Sequence, residues 1–194
     1  MVRTRTFNPE TALSRAVDLF SSKGYSDTSM DDLVQATGVS RYGLYGTFGN
    51  KRELFEEALE KYAESMGRQG YLQLLEPDAS IRHIQAIFDE RIETMCAEGD
   101  DMGCMIAHTA VSLAPHDAEM KALLLKFMKR MAKAFEVGLE SARSRGEVRP
   151  ELDLKEASYF LTGAVFGMGF LARAGFPRSA LEGFAKNTID SLTD

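Results

Sequence analysis

The turn Ala36-Thr-Gly38-Val-Ser40 constrains this chain more than any other stretch, because it joins two short helical segments with almost nothing between them. Gly38 permits the tight reversal, Val39 is expected to plug the space between the helices, and Ser40 to cap the second so that its leading end points outward. Such a unit can lay its second helix in the major groove of DNA, where residues of the first turn meet base edges. Here those residues are Arg41, Tyr42 and Gly43. On the turn alone, a plain helical hairpin with no nucleic-acid role is an equal reading.

The side chains lend themselves to the task. Arg41 carries a guanidinium fork suited to guanine or phosphate, Tyr42 can lie on a thymine methyl or donate to a phosphate, and Gly43 lets the backbone approach closely. Leu44 and Phe48, at helical spacing, are expected to fasten this helix inward. Tyr45 would divide its ring between packing and a phosphate contact.

The rest of the chain is read as helical too, since no stretch shows the sustained alternation of a half-buried strand. Asn8 and Pro9 open a first helix with Leu13, Ala16, Val17 and Phe20 on one face, and Gly24 is expected to stop it. Ser29 and Asp32 form a capping-box pattern for the second helix, and Asn50 caps a fourth with Leu54, Phe55, Ala58, Leu59 and Tyr62 as its stripe. Ser80 opens a fifth with Ile84, Ile87, Phe88, Ile92 and Met95 inward, broken between Glu98 and Met102. A short helix around Met105 to Leu113 follows, then a long one capped by Asp117 and ending at Gly146. Asp153 and Glu156 suggest another capping box, and a last helix runs from about Arg178 to Leu192. The expectation is an all-α fold of about nine helices, with no internal repeat.

Composition narrows the function classes. The net charge of −6 argues against a nucleic-acid binder, because phosphate neutralisation supplies most of the affinity for DNA. The charge is uneven, however: residues 1–52 carry seven Lys/Arg against five acids, and the remainder 16 against 24. A mildly basic head on an acidic body is the asymmetry expected if only the head touches DNA, although chance could produce it. Arg3 and Arg5 read as a solvated tail or as an arm for a minor groove. Cys96 and Cys104 are the only cysteines, and no Cys/His spacing suggests zinc, so a reducing cytosol, no metal and no cofactor are expected. No apolar run follows Met1 to Phe7, and the stretch from Ala157 to Ala172 is shorter than the roughly 20 residues a membrane span needs. It is read as a buried helix in a cytoplasmic protein with no membrane role.

From Asn8 to about Phe55 the chain resembles the TetR family of regulators. The run Ser29-Met-Asp-Asp-Leu-Val-Gln-Ala-Thr-Gly38-Val-Ser-Arg-Tyr-Gly-Leu-Tyr45-Gly-Thr-Phe48-Gly-Asn-Lys51-Arg-Glu-Leu54 fills nearly every slot of that family's N-terminal pattern. The resemblance implies a helix-turn-helix DNA-binding domain over 1–52 and a helical effector-binding and dimerisation domain over 53–194. It also implies phosphate contacts from Lys51 at the start of the fourth helix and from Thr28 and Ser29 at the start of the second. With Ser40, Arg41, Tyr42, Gly43, Tyr45 and Thr47 these make up the expected face for double-stranded operator DNA. Thr47 stands where the family often has His or Tyr, and Gly43 where it often has Ala or a small hydroxyl, so base preference does not carry over.

A single helix-turn-helix makes few base contacts, so a homodimer is expected. Phe160, Gly163, Ala164, Gly167, Gly169 and Leu171 give the penultimate helix a small-residue face, and Leu181, Phe184, Ile189 and Leu192 stripe the last one. The resemblance implies a four-helix bundle between subunits built from that pair, with Phe160, Gly163, Ala164, Gly167, Leu171, Leu181, Phe184 and Ile189 at the interface; burial within one subunit is the other reading. The Met- and Phe-rich middle reads as plain core or as a pocket, and the resemblance favours a pocket for a largely apolar or aromatic effector. Its candidate lining is Phe88, Met102, Cys104, Met105, His108, Phe127, Met131 and Phe166. Cys104 and His108, one helical turn apart, read as a small buried thiol beside a hydrogen-bonded imidazole or as a reactive sensing pair. They lack an orienting acid or an oxyanion motif, so an enzyme is not expected. Three functions follow: a repressor released by a small-molecule effector, a thiol-based redox or electrophile sensor acting through Cys104, or a helical binding protein without DNA function.

Overall fold

A computed structural model describes residues 7–66, 70–97 and 104–193. It comprises α1 (Pro9–Asp27), α2 (Met30–Thr37), α3 (Arg41–Phe48), α4 (Lys51–Met66), α5 (Ile81–Met95), α6 (Met105–Ser112), α7 (Ala118–Ser144), α8 (Leu154–Arg173) and α9 (Arg178–Thr193). Two short 3-10 turns, Gln73–Leu75 and Ala114–His116, complete the described elements, none of which is a strand. The chain divides into two compact units, residues 1–64 and 65–194, so that nearly all of α4 lies in the first, beyond the 52/53 division expected from the motif. Among the described residues no helix is long and apolar enough to cross a membrane.

In the first unit the caps are local and complete. The Asn8 carboxamide oxygen accepts from the backbone N–H of Glu10 at 2.9 Å and Thr11 at 3.3 Å, and Pro9, which has no N–H to satisfy, follows it. Ser29 and Asp32 make a reciprocal capping box on α2. Asn50 caps α4 by accepting from Arg52 and Glu53 N–H at 2.8 and 3.1 Å, while Glu53 reaches back to the Asn50 N–H at 2.7 Å. Gly24 does not end α1 outright: at φ 80° it kinks the helix, which resumes for one turn to Asp27. Only glycine enters that backbone region cheaply. Ala12, Ala16 and Phe20 are the buried face of α1, with Leu13 and Val17 half-buried. Phe55 of α4 packs edge-on to Phe20 and tilted against Tyr25, both with ring centroids at 4.9 Å. Burying each such ring stabilises the unit by about 1.5–3 kcal/mol.

The second unit is built around the long α7, which packs along α8 and against α5, with α9 closing on α5 and α8. Ile84, Ile87 and Phe88 of α5, Phe135 and Leu139 of α7, Leu161 and Val165 of α8 and Leu181 of α9 form its core. Met95, expected inward, is half-buried at the end of α5. Gly138 lets the 3-10 turn dock on α7: a β-carbon there would stand 3.1 Å from a Leu74 methyl. Ile81 at the start of α5 donates its N–H to the distant Glu147 carboxylate at 2.9 Å, and His83 Nδ1 accepts from the Ser80 N–H at 3.1 Å. The box expected on α8 is half made, since Asp153 accepts from the Glu156 N–H at 2.9 Å with no return bond from the Glu156 carboxylate.

Candidate nucleic-acid interface

The α2–turn–α3 unit is assembled by interior contacts that leave one side of α3 uncovered. Gly38 sits in the left-handed region at φ 71° and returns its N–H to the Val34 carbonyl, ending α2. Arg15 of α1 donates to the Thr37 carbonyl at 3.0 Å, placing a cation at the negative end of α2. Val39 is buried in the turn, as are Leu44 and Phe48 on the inner side of α3. Ser40 Oγ accepts from the Gly43 N–H at 3.2 Å and caps the helix. The outer side carries Arg41, Tyr42, Tyr45 and Gly46, all exposed, with Tyr42 78 % accessible.

Several expected site residues are placed differently. Thr28 is buried, its hydroxyl donating to the Gly24 carbonyl at 2.6 Å, so that hydroxyl is committed to the kink and not to a phosphate. Gly43 points into the turn: a β-carbon there would lie 2.8 Å from Val39 Cγ1, so its smallness serves packing of the unit. Thr47 is half-buried. Ser29 is exposed, but its hydroxyl donates to Asp32 at 2.7 Å. The Ser29 N–H, the Ser29 hydroxyl and the Lys23 ammonium hold the Asp32 carboxyl well below the ordinary carboxylate range, so the leading end of α2 keeps a fixed negative charge. Lys51 lies at the N-terminus of α4 as expected, with its ammonium 4.3 Å from the Tyr25 ring centre. Partial burial pushes its pKa down, against the opposing pull of Asp27 and Asp32.

Three residues of this surface went unread in the sequence. Gly46 shares the exposed face with Tyr42 one turn earlier, a helical spacing that could have exposed it, and nothing lies within 4 Å of where its β-carbon would stand. Tyr25 carries the Lys51 ammonium. Asp31 binds Arg41 Nη2 at 2.6 Å through Oδ1, a pairing across ten residues for which the sequence holds no local signal.

In the second unit, Phe88, Cys104, Met105, Phe127 and Met131 are buried and His108 and Phe166 half-buried, distributed over α5, α6, α7 and α8. Met102 lies outside the described residues, as do Arg3 and Arg5. Cys104 and Met95 converge on Gly169 of α8, where an added β-carbon would meet them at 3.5 and 3.3 Å. The Arg130 guanidinium sits 5.2 Å from the Phe127 ring centre. A surface groove of about 480 Å³ runs along α7 past Leu125, Lys126, Lys129, Arg130 and Lys133, and it contains none of the expected effector residues. Arg91, on α5 one turn after Phe88, is a buried cation that the apolar reading passed over.

On α8, Phe160 is half exposed, and a β-carbon at Gly163 would stand in open space. Gly167, Leu171, Phe184 and Ile189 are half-buried, whereas Ala164 and Leu181 are buried within their own unit. Tyr159, Phe170 and Phe176 add exposed aromatic area that the small-residue pattern did not anticipate.

A short helix held from below by Leu44 and Phe48, capped by a serine and reached through a glycine turn, is a helix-turn-helix unit, and with the family matches that follow it defines the chain as a DNA-binding regulator. Residues 12–58 match the family described as "Bacterial regulatory proteins, tetR family", and residues 80–187 match "Tetracyclin repressor-like, C-terminal domain". The chain belongs to the TetR family of transcriptional regulators. It is 30 % identical over 175 residues to the uncharacterized HTH-type transcriptional regulator YezE of Bacillus subtilis (strain 168), covering 89 % of this chain and 90 % of that one. It is 28 % identical to the HTH-type transcriptional repressor ComR of Escherichia coli (strain K12), covering 96 % of this chain and 90 % of the relative. A cysteine mutant of the TetR family regulator CifR, solved with 26bp double-strand operator DNA, superposes with a TM-score of 0.85 at 25 % identity, covering 97 % of this chain and 99 % of that one.

Proposed function

We propose that the protein is a cytoplasmic homodimeric repressor whose first unit holds operator DNA and whose second unit releases it when a small, largely apolar or aromatic effector enters among α5 to α8. The observation that carries the reading is the leading end of α3, where Arg41, Tyr42 and Tyr45 are exposed to solvent while Leu44 and Phe48 anchor the helix. Lys51 and the N-terminus of α4 would add a phosphate contact in which charge and helix dipole act together. Two such helices in a symmetric dimer, about 34–36 Å apart, would enter successive major grooves. The CifR complex with operator DNA and the repressor ComR support this reading by similarity.

Domain roles follow the two units, with DNA binding assigned to the head and dimerisation and effector binding to the body. The exposed aromatic face of α8 with Gly163 and Gly167 is the surface assigned to the partner subunit. The effector would shift a pre-existing equilibrium between a DNA-competent dimer and one with altered head spacing. Burial of Cys104 at 6 % exposure, against Gly169 and Met95, weighs against a thiol sensor and for a structural role. Gel retardation of the DNA flanking the protein's own gene tests the reading. Retardation at low salt that is weakened by Arg41→Ala supports it, and an unretarded fragment with wild-type protein favours a helical binding protein without DNA function.

A further inference from the structure

Arg41 is paired within its own unit. Its Nη2 donates to Asp31 Oδ1 at 2.6 Å, from the first position of α3 to the second of α2. Asp31 is not needed to cap its own helix, because the Ser29 and Asp32 box already does so. Its side chain is 86 % exposed, which leaves the carboxylate standing in solvent beside a surface that must meet a polyanion. A negative charge there weakens attraction to every phosphate, whatever the sequence. The pair lowers the net charge that Arg41 offers to phosphates and gives its fork a partner on α2, and the one hydrogen bond uses one of five guanidinium N–H groups.

We propose that Asp31 is a positioning residue for base recognition: it holds the Arg41 guanidinium so that its remaining N–H edge meets a guanine O6/N7 pair, and it suppresses binding to non-cognate DNA. This deepens the DNA-binding reading and rests on it. A bidentate contact of that kind discriminates strongly among bases when the fork is aimed correctly, whereas a mobile arginine is drawn to any nearby phosphate. Asp31 thus trades total affinity for selectivity.

The test uses the full-length protein and a duplex recovered by the wild type from a random-sequence pool, with a scrambled duplex of equal composition as competitor. Asp31→Asn is expected to bind the scrambled duplex several-fold more tightly and to lower the ratio of selected to scrambled affinity roughly tenfold per recognition helix, the size of one well-aimed guanine contact. Its dependence of log affinity on log salt should steepen by about one per recognition helix. Arg41→Lys, which keeps the charge and loses the fork, should lower the ratio with Asp31 intact, and in an Arg41→Ala background Asp31→Asn should leave the ratio unchanged. An undiminished ratio in Asp31→Asn, or an equal loss with and without Arg41, overturns the inference while the DNA-binding reading stands. Failure of the wild type to enrich any sequence overturns both. An unchanged circular dichroism spectrum and melting curve establish that each variant is folded before its ratio is read.

Discussion

Gly43 and Gly46 sit three residues apart on one eight-residue helix, and alanine at the two positions should act with opposite sign. Replacing glycine by alanine inside a helix stabilises by about 0.5–1 kcal/mol, because the unfolded chain loses freedom that it must otherwise surrender on folding. At Gly46 the new methyl would meet nothing within 4 Å beyond its own helix backbone and chain neighbours, so the whole gain should appear. At Gly43 the methyl would stand 2.8 Å from Val39 Cγ1 and 3.3 Å from both Phe7 Cε1 and Ser40 Oγ. Val39 is buried and branched, so relief must come from the turn itself, and overpacking of that kind costs about 1–3 kcal/mol. Setting the propensity gain against that cost leaves Gly43→Ala destabilised by about 1 kcal/mol and separates the two variants by about 1–3 kcal/mol. Urea unfolding followed by circular dichroism, with an unchanged slope, measures the difference directly. A Gly43→Ala protein as stable as Gly46→Ala would refute the packing argument and restore the reading in which Gly43 is small for the sake of DNA. The same pair divides function: Gly46→Ala should weaken DNA retardation while raising stability, since its methyl projects from the face assigned to the groove.

Asp32→Asn should lower the stability of the first unit in a pH-dependent way. The Asp32 pKa is depressed in the folded state, so its contribution is present above the unfolded value of about 4 and is lost as pH falls toward the lower folded one; the gap in urea midpoint between wild type and variant should be constant from neutral pH to about pH 5 and narrow below about pH 4. Phe55→Ala removes a buried ring touching Phe20 and Tyr25 and should cost about 3–5 kcal/mol, abolishing DNA retardation, while a variant that still binds at wild-type affinity would show that α4 is not what holds the first unit together. Gly163→Trp starts from a β-carbon position with open space around it and should convert a dimer to a monomer in light scattering, with an unchanged circular dichroism spectrum to show the subunit folded; a dimer that survives it moves the interface away from this part of α8.

The helices were legible because what specifies them is local. Asn8, Ser29, Ser40, Asn50, Asp117 and Asp153 cap elements within three residues of themselves, and the apolar periods that follow declare which side is buried. The glycine turn and the inward Leu44 and Phe48 are legible for the same reason, and they were enough to indicate a helix-turn-helix. The 3-10 turn at Gln73–Leu75 was missed, having too few residues for a period and depending on the space left by Gly138 sixty-odd residues later.

What the tertiary structure decided is which side chains meet once helices cross. Thr28 turned inward because the Gly24 kink carries a carbonyl to its hydroxyl, and Gly43 proved a packing residue because Val39 folds back over it. Ala164 faces its own unit while Phe160 and Gly163 on the same helix do not, a distinction of about 40–100° around a helix that is apolar on several sides. Arg41 has a partner because α2 and α3 meet at an angle that brings residues ten apart to within 2.6 Å. Propensity, capping and period act over one helical turn and can be read along a line; approach between helices depends on crossing angles and on the summed shape of every side chain at the contact, and no short window of sequence contains that information.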